Sequence, residues 1–249
     1  ARFADPNGAD SGAAYVIFGG NTTSSVTFLG TSGANNLTAG TSAAERFVSG
    51  GGNDTMTGGG GADVFHGAEG NDTITVSDLT FQLVDGGSGS DTLALSGAGM
   101  TLELALFRGK IESIECINLT GSGDNILKVG ILQDVLNMAN ANSINSATQT
   151  ALGWSNGTYT FASTEGRHQL IVEGDAGDKI TVNGSIWWTN MGTATHNSNT
   201  YTVYNSDTGS AQMLVAQAIG VTIQPTVDLS AIAAGTGGFV INGQGVNDK

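Results

Sequence analysis

Between residues 49 and 94 the chain repeats itself every nine residues. Residues 49–57 read SGGGNDTMT, 58–66 GGGGADVFH, 67–75 GAEGNDTIT and 86–94 GGSGSDTLA. Each copy is a set of glycines, an Asp, any residue, a large apolar residue and any residue, and the first three copies abut without a gap. That pattern leaves few folds open. Glycines at the first, second and fourth places permit backbone angles that a side chain forbids, so the chain turns sharply and presents its carbonyls inward. The run after the Asp alternates like a brief strand whose apolar residue faces in. One repeat is therefore one loop plus one strand. A flexible glycine-rich linker with solvated aspartates leaves unexplained the apolar residue that recurs at Leu37, Phe47, Met56, Phe65, Ile74, Leu83 and Leu93.

The Asp of each copy sets a hard carboxylate oxygen beside the inward carbonyls, and calcium takes six to eight oxygens in flexible geometry. The copies resemble the GGxGxDxUx nonapeptide of the RTX calcium-binding β-roll. The resemblance implies an all-β fold, a parallel β-roll or β-helix in which two repeats complete one turn and calcium sits between loops two repeats apart. Extending the frame in both directions places Asn35, Glu45, Asp54, Asp63, Asp72, Phe81 and Asp91 at the Asp position. One edge then carries Asn35, Asp54, Asp72 and Asp91, and the other Glu45, Asp63 and Phe81. The best ions are expected between the Asp54 and Asp72 loops and between the Asp72 and Asp91 loops. A weaker one is expected at Asp63 with Glu45, and none at Phe81, which cannot ligate. The turn glycines expected to serve these corners are Gly50, Gly52, Gly59, Gly61, Gly70, Gly87 and Gly89.

Composition agrees with this reading. The 249 residues include 39 Gly and only 2 Pro, with 39% hydrophobic residues. Without a collagen period, that mix suggests turn-rich β structure and not disorder. With 22 acids against 8 Lys and Arg, the net charge is −14. Such a balance argues against nucleic acid, whose phosphates require a basic surface. It suits cation binding, since packed carboxylates repel one another until divalent ions neutralise them. A single cysteine, Cys116, excludes an internal disulfide framework. It lies in the strand-like alternation SIECI, where a small buried apolar role is the default. Metal can supply the staple that disulfides supply elsewhere. No signal peptide or bilayer-spanning run is present, and a start at Ala1 without Met reads as a processed piece or a fragment of something longer.

Residues 11–19, SGAAYVIFG, and 232–248, IAAGTGGFVINGQGVND, resemble the tail and the start of an FG-GAP repeat, the blade unit of integrin-type propellers. Neither contains the DxNxDG loop of a full blade. The chain thus divides into a partial FG-GAP-like segment (1–29), the calcium-binding roll and its degenerate coils (30–130), a helix plus β-rich extension (131–225) and a second partial FG-GAP-like segment (226–249). Within the roll, residues 121–127 repeat the frame of 87–93 with Asn125 at the Asp position, so the coil continues there with weakened or absent metal binding. Residues 131–142 place Leu132, Val135, Leu136 and Ala139 on one helical face. Strand-like runs follow at 159–162, 169–173, 179–182, 185–189, 200–204, 212–215 and 220–223. The acidic turn at 173–178 is either another calcium loop, through Asp175 and Asp178, or a turn whose aspartates bond their own backbone, and the second is favoured. Trp187, Trp188, Tyr201 and Tyr204 could form a sugar or peptide platform, although ordinary packing is the commoner use of such residues.

Signs of catalysis are absent. His66, His168 and His196 show no zinc spacing, and neither a nucleophile elbow nor a Walker loop occurs. The reading is a non-enzymatic module. The RTX resemblance implies an extracellular or cell-surface, bacterial, secreted protein of the adhesin or haemolysin-like kind, exported by type I secretion. Such a chain folds outside the cell, where calcium binding free energy becomes folding free energy. Its terminal strands could join neighbouring copies or adjacent repeats of the same protein head to tail into a filament. Two other readings are a ligand-binding adhesin domain for a cell-surface glycan or peptide, and the calcium-binding accessory module of a secreted enzyme. No nucleic-acid partner or membrane insertion is expected.

Overall fold

A computed structural model describes residues 26–141, 143–163, 166–182 and 188–223. Eight short strands wind first: β1 (Phe28–Leu29), β2 (Asn36–Thr38), β3 (Arg46–Val48), β4 (Thr55–Thr57), β5 (Val64–His66), β6 (Thr73–Val76), β7 (Leu83–Asp85) and β8 (Thr92–Leu95). The odd-numbered strands stack in one parallel sheet and the even-numbered strands in another. Each glycine loop reverses the chain between the two sheets, and two repeats make one turn. The fold is an all-β parallel β-roll.

From β9 (Thr101–Glu103) a third sheet opens, and the roll becomes a three-sided coil. Strand β10 (Ile111–Glu112) returns to the first sheet, β11 (Cys116–Asn118) to the second and β12 (Ile126–Val129) to the third. A short helix, α1 (Leu132–Leu136), follows where a first-sheet strand would come next. After β13 (Trp154–Asn156), strands β14 (His168–Glu173) and β15 (Lys179–Val182) extend the second and third sheets. A long antiparallel hairpin, β16 (Trp188–His196) and β17 (Asn199–Ser206), then precedes β18 (Ala211–Ala216) and β19 (Gly220–Ile223), which close the described coil. The sheets hold five, ten and four strands.

Parallel register stacks like residues over one another. One column runs Phe28, Phe47, Phe65, Val84, Ile111. A second runs Leu37, Met56, Ile74, Leu93, Ile117, Val172, Val215. Phe47, Phe65, Met56, Ile74 and Leu93 are fully buried, each contributing roughly 1.5–3 kcal/mol through burial. The rings of Phe28, Phe47 and Phe65 stack at 4.6 and 4.7 Å between centroids. A smaller core of Ile144, Trp154, Tyr159, Phe161, Tyr201 and Leu214 lies under the hairpin. Beside it, buried Gln212 accepts from Gln169 and donates to Tyr159 Oη.

Several expectations need correction. The repeat containing β7 carries one extra residue, so Val84 and not Leu83 faces inward opposite Phe65. The helix spans five residues and not the expected stretch 131–142, because after Leu136 the chain passes into a turn in which Met138 and Ala139 N–H both donate to the Val135 carbonyl. Its inward face is as expected, with Val135 and Ala139 buried and Leu132 and Leu136 packed against the core. Residues 159–162 form no strand; β13 lies a few residues earlier. The hairpin strand β16 runs on through residues 190–196, between the strand-like runs expected at 185–189 and 200–204. Trp188 and Tyr201 are buried and so offer no exposed aromatic platform, while Trp187 lies outside the described residues. Cys116 is buried as expected, and burial pushes its thiol well above the ordinary range.

Candidate metal centre

The corners joining the first sheet to the second carry a ladder of carboxylates. The Asn35 N–H donates to Asp54 Oδ1 at 2.7 Å, Asp54 N–H to Asp72 Oδ1 at 2.8 Å, and Asp72 N–H to Asp91 Oδ1 at 2.7 Å. Each Asp thereby reaches back under the loop one full turn earlier. The expected edge of Asn35, Asp54, Asp72 and Asp91 is brought together as one row. It does not stop there: Asp91 N–H donates to Glu115 Oε2 at 2.8 Å. Glu115 was not anticipated, since residues 111–116 contain no glycine signature.

In each Asp of the row one oxygen is thus used by the backbone; the other is not. Asp54, Asp72 and Asp91 are at most 2% exposed, and their Oδ2 atoms are buried without a hydrogen-bond partner. Leaving a buried charged oxygen unpaired is expensive. The Asp72 oxygen lies beside a backbone carbonyl. A β-carbon added to Gly67 would sit 2.3 Å from both Asp72 Oδ2 and the Gly86 carbonyl oxygen, so only glycine fits there. Among the described residues no three His, Cys, Asp or Glu side chains converge on one point. Each corner instead offers carboxylates from the row together with main-chain oxygens, a hard donor set suited to calcium and not to zinc or copper. Burial pushes the carboxyls of Asp72 to about 7 and Asp91 to about 6, with neighbouring acids adding to the effect. A bound divalent cation would reverse that balance by stabilising the ionised form.

Glycine conformation follows the frame. Gly52, Gly61, Gly70 and Gly89, at the fourth place, all have φ between +98° and +141°. Gly50 and Gly87 are also left-handed, whereas in the second copy Gly60 takes that role in place of Gly59. Gly59 is needed for a different reason: a β-carbon there would meet the Thr41 carbonyl at 2.0 Å.

On the opposite edge Glu45 N–H donates to Asp63 Oδ1 at 2.9 Å, so Glu45 and Asp63 stack as expected. Glu45 Oε2 is buried and unpartnered, and burial raises the Asp63 carboxyl to about 6. The residue above Asp63 is not Phe81. The extra residue shifts the frame, Val64 pairs with Leu83, and Gln82 N–H donates to the Asp63 carbonyl. Phe81 is buried against Phe107 at 5.1 Å between ring centroids. Exposed Gln82 brings no carboxylate at that place, although Asp78 one turn on accepts the Gly61 N–H at 3.2 Å and adds a further negative charge near Asp63.

A third row joins the second and third sheets. Met100 N–H donates to Asn125 Oδ1, and Asn125 N–H to Asp178 Oδ1, each at 2.7 Å. Here nothing is left over. Asn125 Nδ2 donates to the Leu119 carbonyl and Asp178 Oδ2 accepts from Asp175 N–H. Asp178 therefore belongs to a self-bonded turn, the favoured reading of that segment.

Buried carboxylates stacked at glycine corners, with an unpartnered oxygen at Glu45, Asp54, Asp72 and Asp91, define a calcium-binding parallel β-roll. Residues 39–74 match the family model for the RTX calcium-binding nonapeptide repeat (4 copies). No curated protein and no solved structure matches the chain. The expected FG-GAP stretches at 11–19 and 232–248 lie outside the described residues, and the family match does not reach them.

Proposed function

We propose that the protein is a non-enzymatic, extracellular structural module whose roll is rigid only when calcium occupies the corners at Asp54, Asp72 and Asp91. The observation carrying this reading is the row of buried, unpartnered Oδ2 atoms, that of Asp72 beside the Gly86 carbonyl. Bound calcium would be held by Asp54, Asp72 and Asp91 on one edge and by Glu45 and Asp63 on the other. It would supply positive charge that offsets their mutual repulsion. Secretion suits such a device, since RTX repeats are typical of exported proteins and the coil would assemble only where calcium is plentiful.

Assembly is the finer part of the proposal. Among the described residues β1 and β2 end their sheets at one end of the coil, and β19 ends the third sheet at the other. Open parallel edges of this kind accept further strands. Neighbouring copies would then extend the coil head to tail, a heterologous contact that does not close. A calcium titration followed by circular dichroism, small-angle scattering and sedimentation tests both parts. Compaction on adding calcium, reversed by EDTA, is the expected result. An unchanged compact shape after exhaustive chelation refutes the calcium reading, and a strict monomer at all concentrations in calcium refutes the assembly.

A further inference from the structure

The calcium row does not end with the last nonapeptide. A second row runs beside the carboxylates, made of the first residue of each loop. A β-carbon on Gly30 would lie 2.0 Å from the Ser49 carbonyl oxygen, one on Gly67 2.3 Å from that of Gly86, and one on Gly86 2.1 Å from that of Ser113. Ser49 reaches the next member too, donating from Oγ to the Gly67 carbonyl at 2.7 Å. Ser113 therefore occupies the place that Gly86 holds one turn earlier, just as Glu115 occupies the place of Asp91. Both rows continue into a loop whose sequence, ESIE, has no resemblance to the motif.

That loop faces an unsatisfied group. Asp91 is fully buried, and its Oδ2 has no partner. The position of a β-carbon on Gly86 would be 2.7 Å from Asp91 Cγ as well as 2.1 Å from the Ser113 oxygen, so carboxyl and carbonyl converge there. The corner below is the related arrangement, with Asp72 Oδ2 itself and the Gly86 carbonyl oxygen each 2.3 Å from the place of a β-carbon on Gly67. Ser113 adopts φ of +54°, a left-handed angle rare for a residue with a side chain. Glu115 is 1% exposed; besides the Asp91 N–H it accepts Asn140 N–H at 3.1 Å on Oε1, which holds its carboxylate against the row. The third row lacks this feature, since every oxygen of Asn125 and Asp178 is taken by an N–H.

We infer that Asp91, the Ser113 carbonyl and Glu115 form a further calcium site, one turn beyond the last nonapeptide copy, in which Glu115 closes the row of ions. This rests on the calcium reading of the roll. Its consequence is that the last ion bridges the repeats to the segment after α1, because Glu115 also holds Asn140.

Two measurements on the full chain test it. Crystals grown in terbium or calcium, with anomalous maps of the unmodified protein, should show a peak bounded by Asp91 Oδ2 and the Ser113 oxygen in addition to peaks lower in the row. Peaks beside Asp54 and Asp72 with none at Ser113 overturn this inference alone; peaks nowhere overturn the calcium reading itself. Native mass spectrometry and calcium titration then compare the wild type with Glu115→Gln. The variant should lose one bound ion, or bind it about 10–100-fold more weakly, while the remaining ions bind as before. Equal stoichiometry and affinity in the two proteins refute the assignment. Should Glu115→Gln not fold, the anomalous map decides.

Discussion

Asp72 sits between two like neighbours, accepts one backbone N–H and leaves its second oxygen buried and unpaired. Metal-free, the residue is therefore uncomfortable when ionised. Asn125, in the row between the second and third sheets, shows how a like corner is satisfied without an ion: its amide donates to the Leu119 carbonyl while its oxygen keeps the ladder bond. Asp72→Asn should accordingly weaken calcium binding by about 10–100-fold yet stabilise the chelated protein by on the order of 1 kcal/mol, read by isothermal titration and by melts in EDTA. A fall in stability in both conditions would refute the argument. The pH dependence has the same origin. The carboxyls of Asp63, Asp72 and Asp91 rise from 3.8 to about 6, 7 and 6, so the folded chain binds protons more tightly than the unfolded one. Metal-free stability is then complete below the unfolded value and lost as pH climbs through the window from about 4 to 7. Melting in EDTA should occur at a higher temperature near pH ~5 than near pH ~8, and the opposite order would contradict the shifts. The glycines are a separate constraint. Gly89 has φ of +141° and stands 2.0 Å, by its absent β-carbon, from the Gly70 carbonyl, whereas Gly99 has φ of +64° in open space. Gly89→Ala should cost roughly 2–4 kcal/mol in calcium and Gly99→Ala about 1 kcal/mol; equal costs in chemical denaturation would show that the close approach is unimportant.

The elements differ in how plainly the sequence announces them. In the roll, a single nine-residue unit specifies turn chemistry and the inward residue together, so strands of three residues were legible despite their length. Where the unit gains one residue, before β7, the inward residue shifts from Leu83 to Val84, and only the pairing with β5 reveals it. Strand β16 was hidden for another reason. Among its nine residues only Trp188 and Ala194 are buried, and a bulge between Asn190 and Gly192 breaks the alternation, so its Thr- and Asn-rich run reads as a loop. Helix α1 begins where one residue organises its first turn. Asp134 reaches back to accept Gly130 N–H at 3.0 Å and Ile131 N–H at 2.9 Å on Oδ2, and Arg108 Nε donates to its Oδ1 at 2.7 Å. Its side chain is wholly buried, while Gln133 on the outer face is exposed. Asp134→Ala should cost about 2–3 kcal/mol in calcium, against at most about 0.5 kcal/mol for Gln133→Ala. Denaturant titrations of both variants check this, and a similar small cost for the two would show that the helix start is held by other contacts.

Across the molecule, the Asn35–Asp91 row was readable from spacing alone because 18 or 19 residues return the chain to the same corner. Glu115 was not, because 24 residues separate it from Asp91 and its placement depends on β11 pairing in register with β8. Nor was the junction at Asn125 and Asp178, whose partners lie 53 residues apart. These long returns divide the coil into two regimes. From β1 to β8 the corners keep buried oxygens that only a cation can satisfy. From β12 to β19 the stacked corners are closed by N–H donors, and the Gln169–Gln212 network and the second core lie under the hairpin. Chelation should therefore melt the protein in part. In hydrogen exchange with EDTA, amides of β2 to β8 are expected to lose protection, whereas those of β14, β15, β17 and β18 retain it; restoring calcium should return both. All three tryptophans fall at 154, 187 and 188, so their emission should change far less on chelation than far-ultraviolet circular dichroism does. Loss of protection everywhere at once would mean that the amide-closed half draws its stability from the ions as well, and that the two regimes fold as a single cooperative unit.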